Sequence, residues 1–204
     1  MRIFSILFFC SLSIHSLSQS DSPEWLEEGF RNEVSFNSGG TLVLGGALPL
    51  ARYSFAPNFQ IGFRHVFGRS FFQSGLSYIP MRYSGRFTDQ FGNPGGYEYY
   101  TVRSIGLPIS YGLQTSILRR IVLRAFLGVM PTYTFRISTD TDNEKASLFQ
   151  FSNVLIGCES SLRATKAINL NFSIEYLRGF SYGFGKIIHF KHATSIKFGF
   201  SRVF

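Results

Sequence analysis

Charge and long apolar runs are both scarce in this sequence. Asp, Glu, Lys and Arg make up 16% of its 204 residues. Beyond the N-terminal segment, no stretch reaches the ~18 consecutive apolar residues that a membrane-spanning helix needs. No long segment repeats its apolar residues with a helical period either. These absences exclude a transmembrane helix and leave a chain built mainly of strands and turns.

Cysteine and histidine are equally sparse, with two and four copies. Cys10 lies in a segment that we expect to be removed, so Cys158 has no partner for an intramolecular disulfide. One cysteine and four histidines at irregular spacing do not match a metal site. Glycine pairs occur, but not in the strand–turn–helix context of a phosphate-binding loop. We therefore predict no metal, no cofactor and no catalytic residues.

Acidic residues are outnumbered by basic ones, 12 to 20, which gives a net charge of +8. The basic residues are scattered singly along the chain and form no stripe, so a nucleic acid is not expected as a partner. Anionic lipid headgroups and lipopolysaccharide are the better electrostatic partners.

Residues 1–18 have the pattern of a cleavable signal peptide. Arg2 supplies the positive region, residues 3–12 the short apolar region, and Ser16 and Ser18 the small residues before the cleavage point. Lipidation at Cys10 is a weaker alternative, because "LFF" before it lacks small residues. Cleavage leaves residues 19–31 as a short periplasmic segment and residues 32–204 as one domain.

Aromatic residues and glycine are plentiful, with 24 Phe, 10 Tyr and 20 Gly. They occur where apolar and polar residues alternate, which is the pattern of β-strands. The alternation predicts eight strands, near residues 32–39, 58–67, 70–83, 101–114, 121–137, 151–163, 168–182 and 191–204. Three prolines inside these strands, Pro80, Pro108 and Pro131, are predicted to mark irregularities.

The connections between the predicted strands alternate in length. The long ones are 40–57, 84–100, 138–150 and 183–190, and the short ones are 68–69, 115–120 and 164–167. Outer-membrane barrels have tight periplasmic turns and long external loops. The sequence therefore predicts an all-β fold, an eight-stranded antiparallel up-and-down transmembrane β-barrel in the outer membrane of a Gram-negative bacterium.

The two faces of each strand distinguish a membrane barrel from a soluble one. Residues 168–175 show the pattern: Ile168, Leu170, Phe172 and Ile174 on one face, Asn169, Asn171, Ser173 and Glu175 on the other. A soluble barrel needs its bulky apolar face inside, whereas eight strands enclose a space that side chains just fill. We therefore expect the apolar face to contact lipid.

Seven charged residues fall on the predicted inward face: Glu33, Arg64, Arg124, Arg136, Glu159, Glu175 and Lys197. Buried charges need partners, so we predict a salt-bridged polar network that plugs the lumen. The alternative is a gated pore or a ligand site.

The run "YTVRSIGLPISYGL" resembles the fourth strand of the small outer-membrane β-barrel proteins of the Bacteroidota, which include the PorT-type barrels. The similarity continues through "VLRAFLGVMPTYTF", "FSNVLIGCESSL", "INLNFSIEYLRGF" and "SIKFGFSRVF", and covers roughly residues 58–204. The resemblance implies the barrel architecture and, for PorT-type members, an accessory role in type IX secretion.

The chain ends on an aromatic residue at the end of an alternating strand. Ile196, Phe198, Phe200 and Phe204 share one face and resemble the C-terminal signal that the barrel assembly machinery reads, although Arg202 departs from that pattern. The resemblance implies an assembly role for these four residues.

These patterns favour a non-enzymatic structural, adhesive or partner-docking protein, with an unidentified protein partner. The predicted contact surface is the 84–100 loop, through Phe87, Phe91, Tyr97, Tyr99 and Tyr100. A secretion accessory is the alternative. A lipid A-modifying enzyme is less favoured, because His189, His192, Thr194 and Ser195 form no recognisable catalytic motif.

Overall fold

The computed structural model describes residues 30–46, 52–88, 94–118, 120–139, 143–150, 154–178 and 190–204. It contains the following strands: β1 (Phe30–Gly46), β2 (Arg52–Ser54), β3 (Ala56–Phe67), β4 (Ser70–Thr88), β5 (Pro94–Gly106), β6 (Ile109–Leu118), β7 (Ile121–Val129), β8 (Thr132–Thr139), β9 (Asn143–Gln150), β10 (Val154–Arg163), β11 (Ile168–Arg178) and β12 (Phe190–Val203). Among these residues no helix is long and apolar enough to cross a membrane.

The strands form one closed antiparallel wall. β1 pairs with β12 on one side and β3 on the other, and β3 pairs with β4. β4 pairs with β6 along its first part and with β5 along its second, so β5 and β6 form one interrupted barrel strand. The same holds for β2 with β3, β7 with β8, and β9 with β10. The predicted eight-stranded antiparallel barrel is confirmed.

Two of the three predicted proline irregularities are interruptions of this wall. Pro108 separates β5 from β6, and Pro131 separates β7 from β8. The two breaks lie side by side, since the Leu107 amide donates to the Pro131 carbonyl at 2.9 Å. Pro80 instead stays inside β4, opposite Arg103.

The strands extend further than predicted at the end opposite the tight turns. β4 runs to Thr88 and β5 begins at Pro94, so most of the predicted 84–100 loop is a paired hairpin. β8 and β9 likewise pair, from Thr132 opposite Gln150 to Ser138 opposite Asn143. Most of the predicted 138–150 loop is therefore also a paired hairpin. The prediction of long irregular loops was wrong here, because glycine and polar residues do not end a ladder whose neighbouring strand continues. At the other end, β1 begins at Phe30, two residues before the predicted start.

The outer face of the wall is an apolar belt. Large side chains that a soluble barrel would bury are exposed on every part of it, including Phe198 at 63%, Leu127 at 59% and Ile61 at 55%. Monomeric soluble proteins rarely expose apolar patches larger than a few hundred Å². A belt that encircles the barrel therefore needs an apolar surrounding.

Two aromatic rings occupy the lumen near the tight turns. Phe71 and Phe126 meet edge to face, with ring centroids 6.4 Å apart. Gly112 on β6 lies between them in register, opposite Phe71 on β4 and Phe126 on β7. A Cβ on Gly112 would lie 2.4 Å from the Phe71 ring and 2.5 Å from the Ala125 carbonyl. Glycine is required here by close approach.

Replacement of Gly112 by Ala is expected to destabilise the barrel by about 1–3 kcal/mol, because both the ring and the backbone must shift. Urea unfolding in lipid vesicles, followed by circular dichroism and cold-gel mobility, measures the effect. The matched control is Ser110→Ala, two residues away on the same inward face. Ser110 Oγ has no hydrogen-bond partner among the described residues, so that change should be neutral or slightly stabilising. Equal effects would contradict the packing argument.

Candidate functional site: a filled lumen

Four charged side chains meet inside the barrel. Glu33 lies on β1 opposite Arg64 on β3, and Glu159 lies on β10 opposite Arg124 on β7. Strand alternation turns all four inward, and each is at most 4% exposed. We call these four residues the charge ring.

Each guanidinium of the charge ring contacts both carboxylates. Arg64 donates to Glu33 at 2.9 Å and to Glu159 at 2.8 Å. Arg124 donates to Glu33 and to Glu159, both at 2.8 Å. Positive and negative groups therefore alternate around a closed ring with no net charge.

The charge ring spans the lumen from wall to wall. β3 and β10 are not neighbours in the sheet, and neither are β1 and β7. The Arg64–Glu159 and Arg124–Glu33 ion pairs therefore cross the interior. Four side chains joined in this way obstruct the passage between the two ends of the barrel.

Neutral side chains add to the hydrogen bonding of both guanidinium groups, each of which donates four hydrogen bonds. Gln73 accepts from Arg64 at 2.7 and 3.1 Å, and Gln114 accepts from Arg124 at 3.1 Å. Ser161 also accepts from Arg124, at 2.5 Å. The Arg64 guanidinium lies 5.1 Å from the centre of the Phe71 ring. Such extensive pairing is what makes a buried ionic cluster tolerable.

Sequence reasoning missed these partners, although the sequence holds a signal for two of them. Gln73 and Gln114 are directly opposite Arg64 and Arg124 in register. The tight turn at residues 68–69 fixes the first pairing, so counting outward from that turn identifies Gln73.

A second polar group lies nearer the hairpin end. Lys197 on β12 donates to Glu175 on β11 at 2.6 Å and also to Gln60 on β3. Beyond it, Thr41 contacts Ser195 at 2.8 Å and accepts from Asn58 at 2.7 Å. Hydrogen bonding therefore continues along the lumen above the charge ring.

Apolar side chains fill the interior towards the hairpin end, which the sequence analysis did not predict. They are buried and clustered: Ile79, Met81, Val102, Met130, Leu155, Leu177 and Ala193. Polar and apolar layers together leave the described part of the interior occupied by side chains.

Arg136 lies outside this network, contrary to its predicted place in the lumen. Thr134 faces inward and contacts Ser104 at 2.8 Å, but the pairing then shifts, so that Arg136 is opposite Arg103. Arg103 is adjacent to the buried Ser104 and faces outward. The bulge at Phe135 thus reverses the alternation that the sequence analysis had assumed to continue.

The residues considered for catalysis lie on opposite faces of β12. His192 is on the outer face, where its Nδ1 is hydrogen-bonded to the Tyr176 hydroxyl. Ser195 is on the inner face with Thr41. A Ser–His pair needs direct hydrogen-bond contact, which this arrangement does not provide. His189 is outside the described residues.

The four predicted assembly residues lie on the outer face of β12 and at the residue directly after it, each 42–67% exposed: Ile196, Phe198, Phe200 and Phe204. The Phe204 amide donates to the Asn32 carbonyl at 2.9 Å. Phe91 and the side chains of Phe87, Tyr97, Tyr99 and Tyr100 are outside what the structure describes. The assembly signal and the contact surface therefore stay predictions.

The described residues contain no group of three or more His, Cys, Asp and Glu side chains that could hold a metal ion. The two carboxylates of the charge ring are each held by two arginines instead.

Comparison with solved structures gives the same fold. The chain is similar to Ail, the attachment invasion locus protein of Yersinia pestis, solved in complex with the heparin analogue sucrose octasulfate: TM-score 0.50, 11% identity, covering 86% of this chain and 99% of Ail. It is also similar to Neisserial surface protein A, with TM-score 0.50, 15% identity, and 86% and 99% coverage. No family model and no curated protein matches the sequence.

Proposed function

We propose that this chain is a non-enzymatic outer-membrane barrel with a sealed lumen that acts through its external hairpins as a structural, adhesive or partner-docking protein. The observation that carries the proposal is the charge ring, whose ion pairs cross the interior. A barrel whose lumen passes no solute acts through its outer surface.

The apolar belt supports the outer-membrane location and lipid and lipopolysaccharide as surroundings. The outer face of β12 supports recognition by the barrel assembly machinery, through the aromatic pattern ending at Phe204. The paired hairpins β4–β5 and β8–β9 support display, since their strands carry the wall beyond the belt. Ail, which has a similar fold, was solved in complex with the heparin analogue sucrose octasulfate.

Reconstitution into planar bilayers tests the sealed lumen. We expect no conductance steps from the folded protein at neutral pH, because the charge ring and the apolar layer beyond it leave no water path. Heat-modifiable gel mobility confirms that the inserted sample is folded. Steady conductance of the size of a water-filled pore would contradict the proposal and favour a channel.

A deletion strain tests the role of the hairpins. Complementation uses the wild type and a variant in which residues 85–98 are replaced by Asn-Gly, a two-residue turn that suits the Ser84–Tyr99 register. We expect the trimmed barrel to reach the outer membrane but to fail in restoring surface attachment. Loss of a whole class of exported proteins from the deletion strain would instead support the PorT-like secretion role. Altered lipid A would support the enzyme.

A further inference from the structure

Three arginines lie together on the outer face near the hairpin end. Arg103 on β5 is directly opposite Arg136 on β8, and Arg82 on β4 is paired with Thr101, two residues further along β5. We call Arg82, Arg103 and Arg136 the basic rim group. The backbone partner of Arg136 on β9 is another basic residue, Lys145.

This arrangement is unfavourable for an isolated barrel. Like charges directly opposite each other on antiparallel strands destabilise the pair. The flanking outward positions on β5 and β8 are neutral: Thr101, Ile105 and Ser138. The bulge at Phe135 brings Arg136 to this face, where regular alternation would have turned it inward. The bulge therefore places the two arginines directly opposite each other on the outer face.

The basic rim group lies just beyond the apolar belt. Tyr78, Ile105 and Tyr133 form one row across β4, β5 and β8, and Arg103 is two residues beyond Ile105. At ~3.3 Å per residue, Arg103 and the Arg136 opposite it are anchored about 7 Å beyond this row, and Arg82, four residues beyond Tyr78, about 13 Å beyond it. Tyrosine marks the depth where a membrane's apolar core ends. At the end opposite the tight turns, that depth is the headgroup layer of the outer leaflet.

We propose that Arg103 and Arg136, with Arg82 beside them, bind the phosphate groups of a phosphorylated glycolipid in the outer leaflet. Guanidinium groups bind phosphate oxygens through paired, charge-assisted hydrogen bonds. A phosphate between the two arginines replaces their mutual repulsion with attraction. The glycolipid presents this group at the depth where the arginines lie. The inference rests on the proposed outer-membrane location.

Native mass spectrometry with bisphosphorylated lipid A as the probe tests the site. The variant is Arg103→Gln with Arg136→Gln, and the matched control is Arg120→Gln with Lys166→Gln, which removes the same charge at the tight-turn end. We expect the folded wild type and the control to retain the lipid, and the variant to retain at least tenfold less. Arg103→Lys with Arg136→Lys should keep most of the binding if it folds.

A stability measurement separates loss of binding from loss of folding. In a neutral detergent the Gln variant should unfold at the same temperature as the wild type or higher, because repulsion is removed. Added lipid A should raise the unfolding temperature of the wild type more than that of the variant. Equal retention by wild type and Gln variant, or equal retention of phosphatidylglycerol or dephosphorylated lipid A, would overturn the proposal. Failure of every variant to insert into vesicles would instead contradict the outer-membrane location, and with it this inference.

Discussion

Replacement of Glu159 by Gln is expected to lower the free energy of unfolding by about 3–5 kcal/mol, the cost of removing one partner from a buried ion pair. Glu159 accepts from Arg64 and Arg124, both at 2.8 Å, and from Ser161 at 3.0 Å. The substitution leaves the charge ring with two guanidinium groups and one carboxylate. It also points an amide N–H₂ at a guanidinium group, which can only donate.

A double-mutant cycle shows whether the charge ring acts as a unit. Arg124→Met is expected to be as harmful alone as Glu159→Gln. Combined, the two changes remove one charge of each sign and leave the Arg64–Glu33 pair at 2.9 Å intact. The double variant should therefore be more stable than the sum of the single effects predicts, by about 0.5–3 kcal/mol. Urea unfolding in phosphatidylcholine vesicles provides the measurement, and additive effects would contradict a coupled ring.

Glu175 offers a control elsewhere in the lumen. It is also buried, but it has a single ionic partner, Lys197, which retains Gln60 as a second partner. Glu175→Gln is expected to cost less than Glu159→Gln, since one cation rather than two loses a carboxylate. An equal cost would mean that the destabilisation reflects loss of any lumen charge rather than of the ring.

The fold could be predicted because two signals in the sequence are independent of each other. Alternation assigns the faces of each strand, and the tight turns at residues 68–69 and 164–167 set which strands are antiparallel neighbours. Both signals hold even where the predicted length of a strand is wrong. The extent of the outer hairpins could not be predicted in this way, because a ladder that continues from a stable wall tolerates residues with little strand preference.

The candidate site could be predicted only as far as alternation holds. Glu33, Arg64, Arg124 and Glu159 all precede any irregularity in their strands, counted from the tight-turn end, and they lie inside the barrel. Arg136 follows the bulge at Phe135, and its face is reversed. Which charges pair across the lumen depends on how the sheet closes into a barrel. The sequence of a single strand carries no information about that closure. Arg136, whose face the sequence analysis predicted wrongly, is one of the three arginines of the basic rim group.

Replacement of Phe198 by Arg tests the environment of the outer face. Phe198 is 63% exposed on β12 and packs against Phe172 of β11, with ring centroids 4.8 Å apart. The apolar residues of that face extend from Phe204 to Ile196, with Arg202 near one end and His192 near the other, so Phe198 lies close to the middle of the belt. A cationic side chain at the midplane of a lipid-facing strand costs about 2–4 kcal/mol.

Position along the same strand supplies the control. Thr194 is on the same outer face, four residues towards the hairpin end, and Thr194→Arg should cost only about 0–1 kcal/mol because a charge near the interface reaches water. Phe198→Leu isolates the loss of the Phe172 contact. Unfolding midpoints in vesicles would show Phe198→Arg well below both controls. If the belt met water instead, an exposed arginine there would change stability by about 0.5 kcal/mol or less. Equal stability of the two arginine variants would therefore exclude the lipid-facing orientation on which the proposed function depends.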